Sequence, residues 1–287
     1  MKHKIFITEI PKKFTVWQWI MKTTDIKKLM STIVSPVKTY TILDLIHNID
    51  IKGLTKTTTK IIDTFGYQGW KNNVGEDQAY GGLSLTYNPE YRDISNENSQ
   101  TLGTYRNQKT EYFFDQTHNF NDLQNTYYDT YGFRKLSPCA ELLDAFLLDF
   151  DRTLIRSRIA ILNSQHLDPT TINSWGWHRD ESVFENIRIN IPIQTDNNYL
   201  FQLLGKSTLH LKYGHMYSWD TNVPHRVFPY INSIKNRIHI VLGFSPWFDY
   251  NPLDQCWCSN EFYGKIHPFE MLISGLINKK ITGANYI

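Results

Sequence analysis

The chain has few cysteines, little net charge and no long apolar run at its start. Its three cysteines, Cys139, Cys256 and Cys258, are too few for a disulfide framework, which predicts a reducing compartment. The net charge of +2 gives no electrostatic footprint for a nucleic acid or a membrane surface, so both are disfavoured as partners. Residues 1–5 read MKHKI, without an apolar run, so we expect neither a secretory signal nor a membrane span, and a cytoplasmic location.

No repeat or low-complexity segment is visible either, and the composition is that of a globular protein. At 287 residues, 41% of them hydrophobic and 20% charged, the chain is long enough for one large domain or two small ones. Apolar residues at helical spacing predict helices within residues 14–33 and again over 42–49, with Gly53 as a stop. We expect these helices to pack on a sheet; a partner-binding helix is the alternative.

The segment 66–133 differs from its surroundings because it holds nine of the seventeen tyrosines and few aliphatic runs. Residues 81–89 predict a short strand between turns. The rest is either a polar loop region with packed tyrosines or a cap that recognises substrate at the mouth of a site.

A helix followed by a strand is predicted next. Ser137 and Pro138 are a favourable N-cap and first helical residue, and the apolar pattern predicts a helix over 141–150. Residues 153–162 then alternate like a strand, with Arg156 and Arg158 on one face. We interpret that face as solvent-exposed; further anion contacts are the alternative.

Three residues in the second half of the chain can form a metal site. His178 and Asp180 are two residues apart, so both side chains lie on one face of an extended strand. His225 follows far enough along the chain for intervening strands to return it to the same place. Two imidazoles and a carboxylate form a facial triad, which suits Fe(II) and leaves coordination positions open. Ordinary structural histidines are the alternative reading.

Two predicted strands place arginine on the face opposite their branched apolar residues. In residues 187–193 the isoleucines alternate with Arg188 and Asn190, and in residues 237–242 the apolar residues alternate with Arg237 and His239. A buried guanidinium needs an anionic partner, and its planar fork binds a carboxylate through two hydrogen bonds. The pattern therefore indicates a site for a small dicarboxylate.

Other polar residues near the triad have open roles. His239 is the strongest competing metal ligand, although we favour a supporting role for it, and His210 and His215 are weaker candidates. Asp220 would either orient a ligand imidazole or shape a turn. Trp177 and Trp219 would line the pocket or pack in the core. Cys256, Cys258 and His267 form an incomplete set for zinc.

The order of these motifs resembles the Fe(II)/2-oxoglutarate oxygenases. The HxD pair at 178–180, the arginine-bearing strand, the Pro-His pair ending at His225 and the Arg-x-His of the closing strand are similar to the aspartyl/asparaginyl β-hydroxylase-like group, which includes free-amino-acid hydroxylases. The likeness spans roughly residues 150 to 250. The peptide hydroxylase that names the group lacks the triad carboxylate, so Asp180 favours the small-molecule members and argues against halogenating relatives.

The resemblance implies a mainly β fold with flanking helices, a double-stranded β-helix of the cupin-like jelly-roll type. It implies Fe(II) bound by His178, Asp180 and His225, with 2-oxoglutarate and O2 as cosubstrates. It places Arg237 at the distal carboxylate of 2-oxoglutarate and Arg188 near its metal-binding end, with Asn190 and His239 on the same face.

We therefore expect three segments within one compact domain: a helical and loop-rich part over 1–135, a jelly-roll oxygenase core over 136–250, and a C-terminal helical extension over 251–287. The expected activity is dioxygenase hydroxylation of a C–H bond in an amino acid or similar small molecule, or in a peptide side chain. A non-catalytic jelly-roll binding or interaction protein and a metal-dependent cupin isomerase are the alternatives.

Overall fold

The computed structural model describes residues 32–38, 40–71, 77–87, 135–136, 140–164, 177–229, 235–251, 253 and 256–287. Several sequence predictions lie outside these ranges: the helices before residue 32, most of the tyrosine-rich segment, the cap at 137–138, and Cys139. No helix in the described part of the chain is both long and apolar enough to cross a membrane.

The described residues are mainly β, as the sequence predicts. In chain order the strands are β1 (Ile42–His47), β2 (Gln68–Lys71), β3 (Asp77–Ser84), β4 (Thr86–Tyr87), β5 (Lys135–Leu136), β6 (Leu154–Leu162), β7 (Ile187–Gln194), β8 (Tyr199–Leu203), β9 (Tyr217–Trp219), β10 (His225–Pro229), β11 (Arg237–Phe244), β12 (Phe248–Asn251), β13 (Cys256–Ser259) and β14 (Ile281–Tyr286). The helices are α1 (Ile51–Phe65), α2 (Asp144–Leu147), which follows a 3-10 turn over Ala140–Leu143, and α3 (Pro268–Ile273).

One large antiparallel sheet organises these strands. It has eight strands in the order β14-β1-β9-β7-β11-β6-β3-β2, so it draws on all three segments expected from the sequence. A smaller antiparallel sheet pairs β8 with β10. Two isolated bridges extend this small sheet: His178 pairs with His225, and Phe201 pairs with Leu209.

The two faces of the large sheet have different surroundings. The aliphatic side chains of β6, β7 and β11, such as Ile159, Ile189 and Leu242, are fully buried in a core that also includes Leu54 and Ile61 of α1. This core follows from the strict alternation of the sequence, which puts every second residue on one face. The opposite face carries the polar residues of the same strands.

The small sheet packs against that polar side. Phe201 and Leu203 of β8 share a buried cluster with Ile42 of β1 and with Tyr217 and Trp219 of β9. Tyr199 of β8 likewise packs on Leu162 of β6. We call the face that bears Arg158, Arg188, Asn190, Arg237 and His239 the cleft face, because it lies toward the small sheet.

The prediction of a helix over 42–49 is wrong. Residues 42–47 form β1, whose burial follows from pairing with β9 on one side and β14 on the other. Gly53 is not a stop but lies in the first turn of α1, where its N–H donates to the N-cap Asp50 Oδ1 at 2.9 Å. The sequence did not reveal α1 because its buried side includes a polar residue, Thr58, which interrupts the apolar pattern.

Two further predictions hold only in part. The helix predicted over 141–150 is a 3-10 turn and the single-turn α2. The segment 251–287 is not mainly helical: α3 ends at Ile273, and β14 returns to the edge of the large sheet. The tertiary pairing with β1 satisfies the backbone groups of β14, and local sequence pattern does not reveal such a distant partner. The strands predicted at 153–162, 187–193 and 237–242 are confirmed, and the described residues of the segment 81–89 lie in β3 and β4 or join them.

Candidate metal centre

The three predicted metal ligands meet at one place. Donor atoms of His178, Asp180 and His225 all lie within 4.8 Å of one another. His178 Nε2 is 4.0 Å and His225 Nε2 is 3.7 Å from Asp180 Oδ2. They are the one such group of His, Cys, Asp or Glu side chains found in the described residues.

Backbone hydrogen bonds hold the three ligands in position. The His178 N–H donates to the His225 carbonyl at 3.1 Å, and the His225 N–H donates back to the His178 carbonyl at 3.0 Å. The Asp180 N–H donates to the Thr221 carbonyl at 2.9 Å. Each ligand is therefore fixed to the small sheet or the turn beside it without help from an ion.

The centre is open on one side. The side-chain exposure is 5% for His225, 29% for Asp180 and 49% for His178. A group bound by all three would keep access to solvent on the His178 side. That arrangement suits a site that admits further ligands better than a closed structural site.

The tautomer of His225 follows from its neighbours. Its Nδ1 lies 2.9 Å from the Val223 carbonyl oxygen, which only accepts, so Nδ1 carries a proton and donates it there, and Nε2 is the ring nitrogen that faces Asp180. Phe201 and Trp219 pack around the same ring. Trp219 thus belongs to the core beside the centre.

Asp220 does not orient His225, one of the two roles considered for it. Its Oδ1 accepts from the backbone N–H groups of Val183 at 3.2 Å and Asn222 at 3.1 Å. It therefore shapes the turn between β9 and β10, and the Val223 carbonyl takes the orienting role.

Arg188 contacts the triad aspartate directly. Its Nη1 donates to Asp180 Oδ2 and its Nη2 donates to Glu181 Oε2. Burial acts to raise the pKa of Asp180, but Arg188 and the two imidazoles outweigh it and hold that pKa well below its usual range. Asp180 is consequently an anion at neutral pH, in the form needed to bind a cation.

Arg156 and Arg158 do not lie on a solvent-exposed face, contrary to the preferred sequence interpretation. The Arg156 side chain is 12% exposed and forms an ion pair with Glu181, which is 5% exposed. Register places Arg158 opposite Val241 of β11, and Val241 lies opposite Asn190 of β7, so Arg158 is on the cleft face. Arg156 lies at an irregularity of β6, where its φ is 47° and the register with β11 shifts, so regular alternation does not describe this part of the strand. A sequence also does not reveal that a second sheet covers Arg158.

Arg158 has no carboxylate partner among the described residues. Its Nη1 donates only to the Arg156 carbonyl at 3.4 Å, and its Nε is buried without a hydrogen-bond partner. Burial, with Arg188 nearby, lowers its pKa to about 10, although Asp180 opposes the change.

Arg237 lies elsewhere on the cleft face, four residues from Val241 along β11. Its Nη2 donates to His239 Nδ1 at 3.0 Å, and both residues are buried. Burial lowers the pKa of Arg237 to about 10, while Tyr80 and Tyr199 act in the opposite direction. Burial and the Arg237 charge hold the pKa of His239 well below its usual range, so this imidazole is neutral.

His239 is not part of the triad group, and the other competing histidines have structural partners. His210 Nδ1 lies 3.2 Å from the Tyr199 carbonyl, and His215 Nδ1 is 2.9 Å from Asp44. His267 caps α3 by accepting from the Phe269 N–H at 3.1 Å. The backbones of Cys256 and Cys258 lie in β13.

Tyr80 is a site residue that sequence reasoning did not single out. Burial raises its pKa; the Arg237 charge lowers it and the Asp180 charge raises it, so the phenol is within electrostatic range of both. Register puts it beside Leu162 and Arg237 on the cleft face. The signal for Tyr80 in the sequence is that it directly precedes the strand predicted over residues 81–89.

The Trp177 side chain lies at the solvent-exposed edge of the candidate metal centre. The ring is 40% exposed and the Arg226 guanidinium stacks on it, 4.8 Å from its centroid. Arg226 is held in turn by two hydrogen bonds to Gln202 Oε1, at 3.0 and 2.8 Å. Trp177 therefore lines the mouth of the site and does not pack in the core.

Comparison with known proteins adds no family to these observations. A scan against models of protein families gave no match, and a search of curated proteins gave no match either.

Proposed function

We propose that this protein is an Fe(II)- and 2-oxoglutarate-dependent dioxygenase that hydroxylates a C–H bond of an amino acid or a similar small molecule. A peptide side chain is the alternative substrate. The observation that carries the proposal is the meeting of His178, Asp180 and His225 in a preformed group that opens to solvent, beside a face with buried arginines.

The proposed fold is a double-stranded β-helix, and the strand order supports it. Successive chain segments alternate between the two sheets: β6 is in the large sheet, residue 178 in the small one, β7 in the large one and β8 in the small one. Strands β9, β10 and β11 continue this alternation. Such a path rolls the chain into two facing sheets with a site between them.

The donor set fits a ferrous ion. Two imidazole nitrogens and one carboxylate oxygen can occupy one face of an octahedron, and the absence of thiolates from the group argues against a closed structural zinc site. When bound, Fe(II) with 2-oxoglutarate and O2 would supply the oxidising power, as the keto acid is converted to succinate and CO2.

The protein's own residues would then bind and orient. Arg237 would bind the distal carboxylate of 2-oxoglutarate through its fork, because it is buried and its one described side-chain partner is the neutral His239. His239 would hold that fork in place. Arg188 would keep Asp180 ionised and aligned, and Trp177 would border the entrance.

The test is an anaerobic titration of the protein with Fe(II) and 2-oxoglutarate, followed by the visible metal-to-ligand charge-transfer band. We expect a band in the native protein and none in His225→Ala, which loses a nitrogen ligand. A protein that binds the metal but gives no band would contradict the proposal.

Arg237→Gln should weaken 2-oxoglutarate binding, measured by the same band, by more than tenfold. The reason is the loss of a charge-assisted contact, which contributes about 1.5–3 kcal/mol. Arg152→Gln is the matched control, because that guanidinium pairs with Asp249 and Glu261, away from the centre. Equal affinities in the two variants would move the anchor to another residue.

A further inference from the structure

The cleft face holds more positive charge than its carboxylates neutralise. Arg188 is paired with Asp180 and Glu181, and Arg156 is paired with Glu181. Arg158 and Arg237 have no carboxylate partner in the described part of the chain. Arg237 is buried, and Arg158 is half-buried with its Nε out of contact with solvent. A guanidinium without an anionic partner is costly to remove from water, so each of these two positions favours an anion supplied from outside the chain.

The proposed function accounts for only one of these two arginines. Arg237 would bind the distal carboxylate of 2-oxoglutarate, whose other end belongs at the metal. Arg158 lies opposite Val241, four residues along β11 from Arg237, which is about 13 Å of extended strand. That separation favours a second anion over one five-carbon diacid shared by both arginines.

We propose that Arg158 binds a carboxylate of the substrate, so that the protein selects small molecules bearing a carboxylate group. This inference rests on the proposed function, because it takes Arg237 as the cosubstrate anchor. The Arg158 guanidinium keeps donors available for such a group, since its Nε has no partner and its Nη1 makes only the 3.4 Å contact to the Arg156 carbonyl.

The neighbouring residues provide a small apolar side chain and a second polar group. Val241, opposite Arg158, is a small side chain on the same face. On its far side lies Asn190, which is 7% exposed, so Arg158 and Asn190 flank Val241 in adjacent strands at about 10 Å across the sheet. A carboxylate at Arg158 would thus leave an adjacent amide for another polar group of the same molecule.

The position also relates the carboxylate to the metal centre. Arg158 is close enough to Arg188 and Asp180 for their charges to affect its pKa, which Arg188 lowers and Asp180 raises. A substrate held by Arg158 would therefore lie on the same face as the residue that fixes Asp180. Arg158 would determine which molecule is presented to the centre without itself binding the ion.

The first experiment uses the metal-free protein and acetate, the minimal carboxylate probe, with binding followed by saturation-transfer NMR. We expect Arg158→Gln to weaken acetate binding at one site and Arg237→Gln to weaken it at another, each at least tenfold. Acetamide, which has no charge, should not compete. If Arg158→Gln leaves acetate binding unchanged, the inference is overturned whatever the metal does.

The second experiment loads the protein anaerobically with Fe(II) and saturating 2-oxoglutarate, which occupies Arg237. Native protein should retain one acetate site, and Arg158→Gln should lose it while keeping the charge-transfer band. If Arg158→Gln instead loses 2-oxoglutarate affinity and retains acetate binding, Arg158 is a cosubstrate contact and the inference fails. A missing band in the native protein contradicts the proposed function alone.

Folding of the variant is checked by urea unfolding. Arg158→Gln removes an unpaired charge, so its unfolding midpoint should equal or exceed that of the native protein. Arg158→Met keeps the length of the side chain and serves as the second variant. A large loss of stability in both variants would show that Arg158 is a structural partner and would overturn the inference.

Discussion

At the scale of the residue, the sequence predicts which side chains form the candidate metal site better than it predicts their ion-pair partners. The HxD spacing and the later histidine predicted a group that the fold brings together at His178, Asp180 and His225. The sequence also correctly predicts that Arg188 of β7 and Arg237 of β11 lie on a buried face. What the sequence did not indicate was that Arg188 would contact Asp180 itself, because that contact depends on how the chain turns between residue 180 and β7.

The Arg188 ion pairs give a prediction about stability. Replacing Arg188 with Gln leaves the carboxylates of Asp180 and Glu181 without their shared partner, and the Arg188 side chain is only 6% exposed. Breaking a buried pair costs about 3–5 kcal/mol, so the free energy of unfolding in urea should fall by that amount.

Lys279→Gln is the control for this measurement. Its ion pair with Asp151 is 3.9 Å long and its side chain is 82% exposed, so the loss should be at most about 0.5 kcal/mol. Equal losses in the two variants would mean that the Arg188 pairs contribute nothing beyond a surface contact.

At the scale of the element, strict alternation predicted strands well. Strands β6, β7 and β11 are all predicted, since branched apolar residues alternate with others over most of their length. For the short β1 the sequence wrongly predicts a helix, because Ile42, Leu45 and Ile46 also fit helical spacing. A run of six residues satisfies both periods, and only its sheet partners decide between them.

Close packing between β6 and β11 gives a prediction at this scale. A Cβ on Gly243 would lie 2.4 Å from the Ile155 carbonyl oxygen and 2.7 Å from Asn186 Oδ1. Gly243→Ala must therefore displace backbone, and we expect it to lower the free energy of unfolding by about 1–3 kcal/mol.

Gly283→Ala on β14 is the matched control. Its added Cβ would lie 3.4 Å from the flexible end of Ile46, which is an ordinary contact. Its urea midpoint should match that of the native protein. If Gly243→Ala is as stable as Gly283→Ala, the two strands are less tightly packed than described.

At the scale of the whole molecule, the sequence predicted fold class but not strand order. The large sheet joins strands from near residue 42 and near residue 286, and such pairings leave no local signal. The covering of the cleft face by the small sheet could not be read from the sequence for the same reason. For this reason the sequence wrongly favours a solvent-exposed face for Arg156 and Arg158.

The uncompensated charge of the cleft predicts how ligands affect the stability of the whole chain. Fe(II) with 2-oxoglutarate at a hundred times its dissociation constant should stabilise the folded state by about 2.7 kcal/mol. For a chain of this length the midpoint of thermal unfolding should rise by about 4–5 °C. The measurement is an anaerobic thermal scan.

The 5-methyl monoester of 2-oxoglutarate is the control in this scan. It keeps the keto acid that would bind the metal but has no distal carboxylate for Arg237, so it should raise the midpoint by less than the diacid does. Equal shifts for acid and ester would contradict a charge-based anchor.

The pairing of β1 has a consequence for biosynthesis. Ile42 pairs with Trp219 and Leu43 pairs with Tyr286, so both neighbours of β1 are made long after it. During translation this apolar strand emerges from the ribosome with two open edges, a state prone to association with other nascent chains. We therefore expect newly made chains to depend on chaperones until residues 281–286 have been synthesised.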